Sequence, residues 1–331
     1  MQFERTMLLH RSDVAELLSL QECIDAVERI FRLQGEGKVP ASKILGLNAP
    51  RGGLHIKAGL LPGDRSYVVA KANTNFPENA QRFGLPTIQG LIIVYDAENG
   101  FPLAVLDSMD VTVKRTAAAS AVAAKYLAQK NSSVGTICGC GLQGRAQLRA
   151  MLTVLPLKKI YVYDLAERAA KSFVTELADE LKLEIEAVHD LPDAIQNSDI
   201  CVTCTPSRKF IVHKKDVSPG TFIAAVGADN EHKQEIDPAL MASSKVVVDS
   251  LEQCASIGDL HHAISQDLMR QENVYAELDE IVAGQKPGRA SEEEIIIFDS
   301  TGVAIEDAIT AAAVYEKARA AHVGDYFNFA G

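Results

Sequence analysis

Residues 134–147 read Val-Gly-Thr-Ile-Cys-Gly-Cys-Gly-Leu-Gln-Gly-Arg-Ala-Gln, and residues 158–164 read Lys-Lys-Ile-Tyr-Val-Tyr-Asp. The first stretch is a short apolar run, then three glycines at G-x-G-x-x-G spacing, then a segment that favours helix. Gly139 permits a tight turn, Gly141 lets the backbone approach a pyrophosphate, and Gly144 lets the helix pack closely on the strand. Free main-chain N–H groups and the positive dipole end of that helix suit phosphate oxygens, and Leu142 and Gln143 lie at its start. Asp164 follows Gly144 by 20 residues, at the end of the next apolar run. A carboxylate there accepts hydrogen bonds from a ribose 2′-OH and repels a 2′-phosphate, so NAD(H) is expected and NADP(H) is less favoured. Strand, turn, helix, strand and acid together predict a dinucleotide-binding Rossmann domain.

Outward from this stretch the texture divides. From Ser133 onward β and α segments alternate, through KKIYVYD, LEIEAV, DICVTCT, TFIAAVGA, KVVVDS and EIIIFDSTG, which predicts a parallel sheet joined by helical crossovers. Between Ser42 and Asp107 short β-type runs (Gly53 to Leu61, Tyr67 to Ala72, Leu91 to Tyr95) are separated by tight turns, which predicts a mostly antiparallel sheet. Before it, apolar residues at three-to-four spacing predict one helix from Ser12 to Gly35. An Ala-rich helix ending near Asn131 bridges the two textures, and a final Ala-rich helix should return to the first of them. The expected fold class is α/β, with a Rossmann domain over residues 131–303 inserted into a mixed α+β domain formed by 1–130 and 304–331.

Composition narrows the function. The chain has 331 residues, 47% apolar and 23% charged, enough for two cores and too apolar for a disordered chain. A formal net charge of −11 and the lack of basic runs argue against nucleic acid and anionic membrane surfaces as partners. No run reaches the roughly 18 apolar residues of a membrane span, and the N-terminus lacks a signal-peptide core, so a cytoplasmic location is expected. The six cysteines read as reduced thiols. Cys138-Gly-Cys140 and Cys201-Val-Thr-Cys204 sit in strand-like runs, where a strand sends Cys201 and Cys204 to opposite faces, so no metal is expected.

Beyond the glycine turn the chain resembles the ornithine cyclodeaminase/μ-crystallin family over nearly its whole length. The alanine dehydrogenase and imine (ketimine) reductase branch is the most similar. The resemblance rests on Lys71-Ala-Asn-Thr-Asn-Phe-Pro, Gly84-Leu-Pro-Thr-Ile-Gln-Gly, Pro102-Leu-Ala-Val-Leu-Asp-Ser and Arg115-Thr-Ala-Ala-Ala-Ser. It continues in Thr205-Pro-Ser-Arg, Val226-Gly-Ala-Asp-Asn-Glu-His-Lys-Gln-Glu and Phe298-Asp-Ser-Thr-Gly. It implies that the discontinuous domain binds substrate and forms a homodimer through its sheet. It also implies an NAD(H)-dependent oxidoreductase acting on the C–N bond of a small amino or imino acid. Other activities in the family leave two alternatives: an ornithine or lysine cyclodeaminase using catalytic NAD⁺, or a non-enzymatic ligand-binding protein.

Such a reaction needs cations for the substrate carboxylate, a group exchanging a proton with the nitrogen, and exclusion of water. The resemblance assigns the carboxylate to Arg115, opening the Ala-rich helix, and makes Lys71, ending its strand, a second group for the carboxylate or the one that polarises the carbonyl or imine. Asp229, just past the strand TFIAAVGA, is assigned the proton at nitrogen, with Glu231 and Glu235 expected in solvent. Thr87, Arg115, Thr116, Gln143, Thr205, Val226, Lys233 and Ser300 are carried over as cofactor-lining positions. Where cyclodeaminases place a glutamate for a distal amine, this chain has His55 and Lys57. Either these cations face the substrate and favour an anionic or carbonyl-rich one, or His55 is a core residue and Lys57 a surface one.

Overall fold

The computed structural model describes residues 5–40 and 42–329. The first four residues of the N-terminal stretch, Ala41 and the last two residues lie outside that range. The chain forms two compact units, residues 1–115 with 303–331, and residues 116–302. The division falls inside the helix Met109–Leu127, between Arg115 and Thr116.

In the first unit the described residues form a seven-stranded sheet. Its spatial order is Asp325–Phe327, Thr6–Leu9, Pro102–Asp107, Ile88–Asp96, Tyr67–Asn75, Gly52–Leu61 and Lys43–Ala49. It is antiparallel except where Thr6–Leu9 runs parallel to Pro102–Asp107. The N-terminal segment is not one helix. After the strand Thr6–Leu9 come two helices, Arg11–Leu17 and Leu20–Gly35. They break because Ser19, in extended conformation, accepts the Glu22 N–H while the Glu22 carboxylate accepts the Ser19 N–H, a reciprocal cap that starts a new helix. The final helix, Ala304–Ala321, belongs to this unit and packs across the strands Gly52–Leu61 and Tyr67–Asn75. Its Tyr315 meets Tyr67 edge-on, with ring centroids 6.0 Å apart. Every residue from Ala304 to Ala312 is buried, the acids Glu306 and Asp307 of its first turn included, so the start of this helix is covered on all sides.

In the second unit an eight-stranded sheet is parallel throughout, among the described residues. From the strand Val134–Cys138 the chain steps outward to Lys159–Tyr163 and Glu184–Ala187. It then returns to Ile200–Thr203 on the opposite side and proceeds through Phe222–Ala225. The order therefore reverses between Val134–Cys138 and Ile200–Thr203, where parallel sheets open a crevice at their carboxyl ends. Ile200–Thr203, Phe222–Ala225 and Ile296–Asp299 are buried at every position, as a sheet covered on both faces requires. A separate parallel pair, Arg208–Val212 with Gln234–Ile236, lies beyond the expected strands. Phe298, on Ile296–Asp299, has no exposed surface. Phe298→Ala should cost about 3–5 kcal/mol through the cavity it leaves, read as a lowered urea midpoint for unfolding.

Candidate functional site

In the second unit, Gly139 adopts φ +102°, in the left-handed region, and a Cβ there would lie 2.9 Å from the Cys204 carbonyl oxygen. A Cβ on Gly144 would lie 2.0 Å from the Gly139 carbonyl oxygen, so the helix Leu142–Val154 packs directly on its own turn. Gly141 caps that helix with no side chain bonded to it, and a Cβ there would meet nothing within 4 Å. The side of the turn carrying the free N–H groups is therefore open. Beside it the Gln143 Nε2 is buried without a hydrogen-bond partner, and Leu142 is exposed. Asp164 accepts the N–H groups of Cys140 and Ala166, each at 2.9 Å, which holds its carboxylate against the turn. Arg145 donates to the Cys140 carbonyl and pairs with Glu176 at 2.8 Å. These groups fit a dinucleotide: open N–H donors for pyrophosphate, an orphaned amide and an anchored carboxylate for ribose.

The loops after the adjacent strands continue the crevice. Thr205 and Val226 follow Ile200–Thr203 and Phe222–Ala225, and the Ser300 hydroxyl donates to Asp249 at 3.0 Å. Asp229 is half-exposed, and Lys233 meets its carboxylate at 2.6 Å while Asn230 donates to the same oxygen at 3.1 Å. The Lys233 carbonyl lies 2.7 Å from the His262 Nε2. Glu231 is exposed, but the expectation of solvent for Glu235 is overturned: it is fully buried. Thr205 donates to it through both N–H and hydroxyl at 2.6 Å, and Gly227 N–H donates at 2.8 Å. Burial, with the neighbouring Asp259 charge, pushes its carboxyl up to about 7 against these donors.

In the first unit, Lys71 and Arg115 converge on two acids that sequence reading passed over. The Lys71 ammonium donates to Asp307 at 2.7 Å; Arg115 meets Asp307 at 2.9 Å and Glu306 at 2.8 Å. All four side chains are buried. Lys71 does not end its strand but sits mid-strand, because pairing with Ile88–Asp96 continues to Asn75. Nor does Arg115 open its helix, which begins at Met109, where the Asp107 carboxylate accepts the N–H. Burial, followed by the Arg115 charge, lowers Lys71 to about 7. Burial would raise Asp307, but Arg115, Lys71 and Lys57 outweigh it and hold its carboxyl below the usual range. Lys57 lies opposite Lys71, and His55 opposite Asn73, in the antiparallel register. His55, Lys57, Lys71 and Asn73 therefore share one face of the sheet. His55 and Lys57 are both half-buried, so neither is a fully core nor a freely solvated residue. The Asn73 Oδ1 is buried there without a hydrogen-bond partner.

Thr87 precedes the strand Ile88–Asp96, its carbonyl accepting the Phe76 N–H at 2.8 Å, and Thr116 stands in the second unit. The signal for Glu306 and Asp307 was available in the sequence: two adjacent acids inside Val303–Ala312, otherwise apolar except for Thr310, demand buried cations. All six cysteines are free; five are buried, and Cys204 is half-buried, its thiol donating to the carbonyls of Cys138 and Gly139. Among the described residues no three His, Cys, Asp or Glu side chains gather as a metal site.

A parallel sheet with this reversal, turn and acid defines a dinucleotide-binding protein. The chain belongs to the ornithine cyclodeaminase/mu-crystallin family, whose model matches residues 4–322. It is 41% identical to an alanine dehydrogenase of Archaeoglobus fulgidus over 324 residues, covering 98% of each chain. A solved archaeal alanine dehydrogenase dimer with bound NAD superposes with a TM-score of 0.94 at 40% identity, covering 98% of this chain and 99% of that one. The Thermococcus litoralis Δ1-pyrroline-2-carboxylate reductase, in complex with NADH and L-proline, does so at 0.89 and 37% identity, covering 97% and 99%.

Two outcomes follow from this geometry. Gly144→Ala should weaken NADH binding about tenfold or more, measured by fluorescence titration, from an overpacking cost of ~1–3 kcal/mol. Asp307→Asn, which strips the shared carboxylate from two buried cations, should cost about 3–5 kcal/mol in chemical denaturation.

Proposed function

We propose that this chain is an NAD(H)-dependent oxidoreductase acting on the C–N bond of a small amino or imino acid, as an imine reductase or an amino-acid dehydrogenase such as an alanine dehydrogenase. The observation that carries the reading is the buried basic pair Lys71 and Arg115, in a chain that also builds a dinucleotide turn. The first unit acts as the substrate-binding and dimerisation domain, and the second holds the nucleotide. Bound nicotinamide supplies or accepts the hydride at the carbon bearing nitrogen.

The protein's own residues do the rest. The helix start at Gly141–Gln143 receives the pyrophosphate, and Asp164 accepts the ribose hydroxyls and disfavours a 2′-phosphate. Thr87, Thr116, Thr205, Val226 and Ser300 line the cofactor. Arg115 and Lys71 hold the substrate carboxylate, exchanging part of their pairing with Glu306 and Asp307 for it, and the planar Arg115 fork suits a bidentate grip. Lys71 also polarises the carbon that receives hydride. Asp229 exchanges the proton with the substrate nitrogen, and Lys233, 2.6 Å away, fixes that carboxylate. Lys57 and His55, on the Lys71 face, favour an anionic or carbonyl-rich substrate and oppose a distal ammonium. A cyclodeaminase reaction is accordingly the weaker reading.

A second copy of the chain is expected on the sheet of the first unit, where Leu45, Leu47, Val68 and Leu91 are exposed. The free thiols suit a reducing cytoplasm. No described helix is long and apolar enough to cross a membrane.

NADH absorbance should fall when the protein is given pyruvate with ammonia, pyrroline-2-carboxylate or an imino dicarboxylate. A flat trace on all three would sink the reading, and ammonia release from ornithine or lysine without net NADH change would replace it with the cyclodeaminase. The Lys71 ammonium, titrating near 7, loses its proton as pH rises, so the charge that anchors a carboxylate is present below that pH and lost above it. For the free enzyme kcat/KM should therefore fall about tenfold per unit above that point. Lys71→Arg should remove this limb of the profile, since a guanidinium keeps its charge.

A further inference from the structure

Glu235 sits on the short strand Gln234–Ile236 with no exposed surface. Its Oε1 accepts both the N–H and the hydroxyl of Thr205, and its Oε2 accepts the Gly227 N–H. Thr205 and Gly227 lie just beyond the carboxyl ends of Ile200–Thr203 and Phe222–Ala225, two strands paired in parallel register. One carboxylate thus ties together the loops of two neighbouring strands beside the crevice. The approach is close: a Cβ on Gly227 would stand 2.4 Å from the Glu235 Oε2. The strand is held in turn by Asp259, whose Oδ1 accepts the N–H groups of Glu235 and Ile236 at 2.8 and 2.9 Å. The three groups hydrogen-bonded to the Glu235 carboxylate are all donors and are shared between its two oxygens, so both oxygens have to accept; the Thr203 hydroxyl and the Asp259 carboxylate also lie near it. A carboxamide, with one acceptor oxygen and one NH₂, cannot satisfy both loops.

We infer that Glu235 is a positioning residue for the dinucleotide. By fixing Thr205 and Gly227 it sets the shape of the loops against which the cofactor lies. It contributes to cofactor affinity and not to the chemical step, and the inference rests on the function proposed above. A purely structural acid at this place would support folding and leave the affinity of folded protein unchanged.

The test compares full-length wild type with Glu235→Gln and Glu235→Asp, by NADH dissociation constant, KM for NADH, kcat and thermal midpoint without cofactor. Wild type is titrated first, because absence of NADH binding there would overturn the proposed function and this inference with it. Glu235→Gln should raise both the dissociation constant and KM for NADH about tenfold, the effect of leaving a donor unpaired. Its kcat at saturating NADH should stay within about threefold of wild type. Glu235→Asp keeps two acceptor oxygens but is one methylene short, and should recover part of the affinity. A folded Glu235→Gln that binds NADH as wild type does, or loses kcat alone, overturns the inference. Should Glu235→Gln fail to fold, Glu235→Asp decides: several-fold weaker NADH binding supports the role, and unchanged binding overturns it.

Discussion

No side chain fits between the start of the helix Leu142–Val154 and the turn that precedes it. Gly144 lies against the Gly139 carbonyl, and Gly139 in turn lies against the Cys204 carbonyl, just past the strand Ile200–Thr203. Both flanks of the crevice at the reversal of strand order are therefore packed backbone on backbone. This constraint leaves the helix N–H groups facing an open side, where a phosphate can reach them without displacing anything. The buried Gln143 amide and the anchored Asp164 carboxylate are useful only because that packing keeps the turn in place.

Buried charge is handled differently in the two units. In the first, the cations Lys71 and Arg115 are matched by Glu306 and Asp307, so Asp307 stays ionised although it is out of water. In the second, Glu235 and Asp259 are buried close together and are met by N–H and O–H donors. Burial there pushes Glu235 up to about 7 and Asp259 up to about 6. The first arrangement sets two cations against two acids, a pairing in which a substrate carboxylate can take a share. The second uses carboxylates as fixed acceptors that hold loops, a use that rests on hydrogen-bond geometry more than on net charge.

Much of the second unit was legible along the chain, because its signals are local. The glycine spacing, the apolar runs of a sheet buried on both faces, and the acid after the second strand all act within about one βαβ unit. Glu235 was misread for the opposite reason. Its charged neighbours Glu231, His232 and Lys233 look like a solvated loop, and nothing nearby in sequence announces that Thr205, 30 residues earlier, turns its hydroxyl and N–H onto the carboxylate. The break at Ser19 was legible in retrospect, since Ser19 and Glu22 form a capping box inside an unbroken apolar period.

Residue order alone was enough for the turn and the alternation of elements, since these depend on backbone freedom and periodicity within short windows; Lys71 and Arg115 were singled out by the family resemblance and not by any local pattern. Folding in three dimensions was needed to bring Asp307 to Lys71 across 236 residues, to set Lys57 opposite Lys71, and to bury Glu235. Those relations are contacts between distant segments. They arise from sheet register and helix packing, which many sequences with the same local pattern could realise differently.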